Sequence, residues 1–206
     1  MELQNTFIVP ADIDTAWKTL LDVESIAPCM PGATLTSFTG EEFTASVKVK
    51  LGPVTQNFNG VGRFTTRDEA TRTAVIEASG KEIRGGGSAS AIITAVLVSE
   101  GLNSTRANVI TDLTITGKVA QFGKGVIADV SKKLIDQFAN NLQAVIAARS
   151  AAESAAPGEV VAAPDIKVAD SIDLLGSAGA PVLKRLIPVV IGVVVVVGVI
   201  WWLIAR

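Results

Sequence analysis

Between Phe122 and Ala148 an apolar side chain recurs every four residues, and no other feature constrains the fold of this chain as tightly. The series is Phe122, Val126, Val130, Leu134, Phe138, Leu142 and Ile146, widened by Ile127, Ile135 and Val145. Asp129, Lys132, Lys133, Asp136, Asn140 and Asn141 fill the opposite face. The spacing predicts one helix of about seven turns whose apolar stripe must be covered by something broad.

The cover is supplied upstream. Phe43, Ala45, Val47, Val49 and Leu51 alternate with Thr44, Ser46, Lys48 and Lys50, the period-two pattern of a strand with one wet face. Further strands are expected near residues 34–39, 54–66, 72–83, 87–99 and 104–117, separated by turn signals such as Thr39-Gly40 and Gly101-Leu102-Asn103. A first strand, Glu2 to Val9, ends at Pro10. Asp12 then caps a helix to about Leu21, and a short second helix, Val23 to Ala27, ends at the turn Pro28-Cys29-Met30-Pro31-Gly32. The expected fold class is α+β: a seven-stranded antiparallel sheet wrapped around a long C-terminal helix. Curvature would keep the middle of the sheet off the helix and leave a cavity. Gly60 and Gly62 share a strand face with Phe58 and Phe64, opening space between two rings, and Gly85-Gly86-Gly87 permits a sharp bend.

The rest of the chain differs in composition. Residues 150–183 read as a flexible acidic linker of alanine, proline and serine, with 1 basic and 5 acidic side chains. Its end-to-end distance as a coil would be roughly 30 Å. Within it, residues 166–175 are more apolar, either a locally sticky stretch or a short docking helix. Residues 184–206 read as a transmembrane anchor: Leu186 to Ala205 are 20 residues without a charge, enough to cross a bilayer core. Trp201 and Trp202 suit an interface, and Lys184 and Arg185 precede the run. The positive-inside bias then keeps the domain of residues 1–149 in the cytoplasm, on a single-pass protein of the cell membrane. Met1 to Pro10 has no long apolar stretch and does not read as a signal peptide. The spacing of Gly192 and Gly198 does not match a close-packing motif of helix dimers, so a monomeric anchor is expected.

Composition narrows the chemistry. With 0 His and 0 Tyr, the chain lacks the commonest general base and metal ligand, and a phenol. Its 1 Cys, Cys29, reads as a buried thiol, without the partners a zinc site or an activated nucleophile requires. Gly123-Lys124-Gly125 lacks the spacing of a phosphate loop. Asp14, Asp22 and Glu24 read as helix-end solvation and capping. No basic stripe marks a nucleic-acid footprint. The expectation is a binding protein, not an enzyme, with no metal and no covalent cofactor.

Three stretches resemble the G-subunit family of carbon monoxide dehydrogenase, within the START/polyketide-cyclase-like (SRPBCC-like) helix-grip superfamily. They are DVESIAPCMPGATL (Asp22 to Leu35), VKVKLGPVTQNFNGVGRF (Val47 to Phe64) and GKVAQFGKGVIADVSKKLIDQF (Gly117 to Phe138). The resemblance covers residues 1 to about 148. It implies an accessory protein of a molybdenum-containing CO dehydrogenase or related hydroxylase, with an apolar cavity that grips a hydrophobic ligand. Combined with the anchor, it points to a respiratory quinone, menaquinone or ubiquinone, shuttled between bilayer and enzyme. The cavity lining would then include Phe58, Phe64, Val126, Val130, Leu134 and Phe138, each equally explicable as core. Two alternatives stand beside this carrier: a recruitment adaptor that transfers no ligand, and a carrier of another lipid.

Overall fold

In the computed structural model, which describes residues 1–51 and 54–154, the first strand β1 (Glu2–Val9) is followed by two short helices, α1 (Ile13–Leu21) and α2 (Val23–Ile26). Asp12 caps α1 by accepting from the backbone N–H groups of Asp14 and Thr15. Asp22 does the same for α2 through Ser25 N–H. A 3-10 turn, Ala27–Cys29, completes the proline-punctuated segment.

Six strands then run up and down: β2 (Ala33–Phe38), β3 (Glu42–Leu51), β4 (Val54–Asp68), β5 (Thr73–Glu82), β6 (Ser88–Gly101) and β7 (Ser104–Ile115). All neighbours are antiparallel, in the order β1-β7-β6-β5-β4-β3-β2. A 3-10 turn at Val119–Phe122 leads into the long helix α3 (Gly123–Ser154). Phe122, the expected first residue of that helix, therefore lies in the turn before it, and Gly123, at φ 77°, makes the change of direction. The helix continues to Ser154, beyond the expected linker start at residue 150. Ala151 and Ala152 favour helix, and the next proline is Pro157.

α3 lies closest to β1 and stands off the middle strands. Asn5 on β1 donates to Ser131 Oγ at 3.1 Å, Phe7 meets Phe138 edge to face at 5.6 Å, and Asn141 donates to the Cys29 carbonyl. The main core fills the end of the sheet where β1 finishes: Val9, Trp17, Ala107, Phe138, Leu142 and Ile146 are buried there together. Toward the end where α3 begins, packing is thinner, with Leu51 and Val119 buried and Val49, Phe58, Ile115, Val130 and Leu134 half-buried around them.

Among the described residues no helix is long and apolar enough to cross a membrane. The expected anchor at 184–206, residues 155–183 of the linker and the candidate docking stretch 166–175 all lie outside the described residues.

Candidate functional site

The strand register explains why the sheet does not close on the helix. Two neighbouring rows that cross the middle strands carry almost no side chain. One is Ala45–Gly60–Gly80–Ala89 and the other Gly62–Ala78–Ala91, each residue directly opposite the next. Larger residues bound them on both sides: Val47 and Phe58 toward the start of α3, and Phe64, Ile76 and Ile93 toward the main core. Opposite this trough α3 presents Ile127, Val130, Ser131, Leu134 and Ile135.

The space between is an apolar cavity of about 420 Å³, within the range of roughly 300–1,000 Å³ usual for small-molecule sites. Its wall includes Phe43, Val47, Val49, Leu51 and Phe58 from the sheet, Ile115 and Val119 from the approach to α3, and Met30 from the proline turn. Among the described residues, Thr111 and Ser131 are the polar side chains on its inner face, and no ionisable group lines it. Ser131 is already engaged by Asn5. Such a wall solvates an apolar molecule and offers hydroxyls to a ligand's polar atoms, but it supplies no acid–base pair. No cluster of three potential metal ligands occurs among the described residues. A second hollow, of about 400 Å³, lies on the outer face, where the Arg63–Glu77 ion pair and Asp112 make it a solvent-facing trough.

The six residues expected to line a cavity separate into two groups. Phe58, Val130 and Leu134 face it together. Phe64 does not: its ring packs against Phe43, with the Arg67 guanidinium 4.0 Å from its centroid. Phe138 lies in the main core against Phe7. Val126 is half-buried outside the wall, and its neighbour Ile127 takes the facing position. The expected gap between the rings of Phe58 and Phe64 is also modified, because the Phe43 ring lies over Gly62. Gly60 does border the cavity. The small residues of β5 and β6, Ala78, Gly80, Ala89 and Ala91, escaped sequence reasoning because only cross-strand register puts them in one trough.

Among the described residues, nothing near the cavity is arranged for nucleophilic chemistry. Cys29 is fully buried, and that burial pushes its thiol above the ordinary value, the opposite of an activated thiolate. Glu82 is buried directly opposite Phe58. Its carboxylate accepts from Gly86 N–H at 2.9 Å and Arg84 N–H at 2.7 Å, and these bonds hold it below the usual range. It is thus committed to the β5–β6 turn. That turn is pinned in addition by Gly117, where a Cβ would fall 1.9 Å from the Gly86 carbonyl oxygen.

Comparison with solved structures gives the same architecture. A conserved protein from Geobacillus kaustophilus superposes with a TM-score of 0.63 at 18% identity, covering 75% of this chain and 97% of that one. The Zhui aromatase/cyclase from Streptomyces sp. R1128 gives 0.50 at 13% identity, covering 78% and 99%. A START superfamily protein from Mycobacterium smegmatis gives 0.50 at 13%, covering 69% and 94%. At these identities the likeness establishes the fold alone, a START-like sheet gripping a C-terminal helix. A sequence comparison with curated proteins finds no match. The family described as the carbon monoxide dehydrogenase G-subunit (CoxG) matches residues 6–147, nearly all of the sheet and most of α3. By that match the chain belongs to the CoxG family of carbon monoxide dehydrogenase.

Proposed function

We propose that this protein is a membrane-tethered carrier that holds a respiratory quinone, menaquinone or ubiquinone, in its cavity and passes it between the bilayer and a CO dehydrogenase-type oxidoreductase. The observation that carries the proposal is the trough of alanine and glycine across β3–β6, which leaves apolar volume under α3 where a folded core would otherwise place side chains. Proteins fill their interiors closely, so a cavity this size without ionisable lining suits an apolar guest. Each buried methylene of an isoprenoid tail contributes about 0.8 kcal/mol toward extraction from lipid. The family name supplies the oxidoreductase as partner. The uncharged run from Leu186 to Ala205 supplies the tether.

Transfer between two vesicle populations tests the carrying step. The chain cut after Ser154 is mixed with donor vesicles loaded with quinone and acceptor vesicles without it. The rate of quinone arrival should rise in proportion to protein. A rate equal to the spontaneous one, from a chain that still captures the dehydrogenase, would leave only recruitment as its role.

A further inference from the structure

The two ends of the sheet differ in charge. At the end where β1 finishes, the turns carry Glu41, Glu42, Asp68, Glu69 and Glu100; three of the arginines there are matched to acids, and Arg67 donates to the Gly40 carbonyl and lies over the Phe64 ring. Arg72 pairs with Asp14 and Glu69, Arg106 with Glu100, and Arg149 with Asp22. At the other end, Lys81 and Arg84 flank the β5–β6 turn, Lys118 follows β7 and Lys124 opens α3. All four are exposed, and none is in an ion pair among the described residues. The segments are in contact: Lys118 N–H donates to the Gly86 carbonyl at 3.1 Å, and Thr116 N–H to that of Ser88 at 2.8 Å. The one acid in these turns, Glu82, is turned inward onto backbone N–H groups, and Arg84 acts on it as a neighbouring positive charge. Glu2, Asp112 and Asp129 are set back along β1, β7 and α3.

Ile83 stands 55% exposed at this end, between Lys81 and Arg84. The cavity is at the same end, since Leu51, Phe58, Ile115 and Val119 belong to its wall. The far end is closed by the packed core around Phe138 and Leu142. An apolar tip among unmatched cations, beside a cavity plugged at its other end, has the chemistry of a surface that meets anionic headgroups while one side chain dips toward the acyl layer.

We propose that the end formed by the β5–β6 turn, the β7–α3 junction and the first turn of α3 docks on an anionic lipid bilayer, with Ile83 as the inserting tip. The proposal takes from the carrier reading only that the cavity exchanges its contents with lipid, and it orients the cavity's end of the domain toward that source.

The test uses the full chain with vesicles of phosphatidylcholine alone or mixed with phosphatidylglycerol. A fluorophore is attached at Ile83→Cys or, at the opposite end, at Leu102→Cys, and quenching by nitroxide-labelled lipid is read. Cys29 is fully buried and does not compete for the label. The label at 83 should be quenched in anionic vesicles and the label at 102 should not. Lys81→Ala, Arg84→Ala and Lys118→Ala should each weaken this approach about fivefold at low salt. Equal quenching with neutral lipid, or quenching at 102 in place of 83, would overturn the proposal. So would protection of residue 83 by an acidic protein partner while anionic vesicles leave it unquenched. Quinone content of the same samples is measured separately, so that an empty cavity on a docked domain would contradict the carrier reading and leave the docking surface standing.

Discussion

Val130 and Leu142 lie on the same helix and differ in what their replacement should do. Val130 borders empty volume, so Val130→Trp should fold normally and lose ligand, read as an unchanged thermal midpoint with an empty extract. In a packed core the same change would be overpacked by about 1–3 kcal/mol. Leu142 is fully buried, and Leu142→Ala should cost about 3–4 kcal/mol in urea titration whether or not ligand is present. Gly117 has φ 78° and no room for a Cβ, so Gly117→Ala should destabilise by at least about 1–3 kcal/mol through backbone strain alone. Glu82 adds a pH dependence. Because the folded state holds its carboxyl below the ordinary value of 4.5, its stabilising effect is complete above that value and lost as pH falls through the lowered one. Acid titration of stability should be shallower in Glu82→Gln below about pH 4.5. An unchanged slope would show that the two N–H bonds to its carboxylate do not favour the charged form.

At the scale of elements, the strands are legible from the turn signals that separate them and, where one face is wet, from the alternation of apolar and polar residues. Glu42–Leu51 is the plainest, and its observed inner face, Phe43 to Leu51, is the one its pattern announces. The helix was legible as a helix, but its face toward the cavity was misphased. Four residues turn a helix by about 400°, so a strict four-residue series drifts about 40° per step around the axis. Val126 falls outside the cavity wall, Val130 and Leu134 fall on it, and Phe138 points the same way but lies further along the axis, in the core. The observed facing set, Ile127, Val130, Ser131, Leu134 and Ile135, alternates steps of three and one and spans an arc of about 140° around the axis. Ser131 breaks the apolar stripe, so its place on this face is not legible in the sequence; Asn5 satisfies it from β1.

Viewed as a whole molecule, the domain divides its interior: a solid core under the acidic end and a hollow one under the basic end. No stretch of sequence announces this, because the trough is assembled from Ala45, Gly60, Gly80, Ala89, Ala78 and Ala91 on four strands, and only their register aligns them. Small residues read singly as neutral; in two adjacent rows they remove a layer of side chains. The uncharged tail is legible in sequence without help. Deleting residues 184–206 should move the protein from the salt-washed membrane fraction to the soluble fraction while its ligand content stays the same. Attachment that persists through a high-salt wash would count against the tail as the tether.

Whether the cavity holds a quinone decides between carrier and adaptor. Mass spectrometry of the solvent extract of the chain cut after Ser154, made in a quinone-containing host and purified without detergent, answers this most directly. The expected result is one quinone per chain, lost in Val130→Trp at unchanged stability. An empty wild-type cavity, or equal quinone in a variant whose cavity is filled, would contradict it.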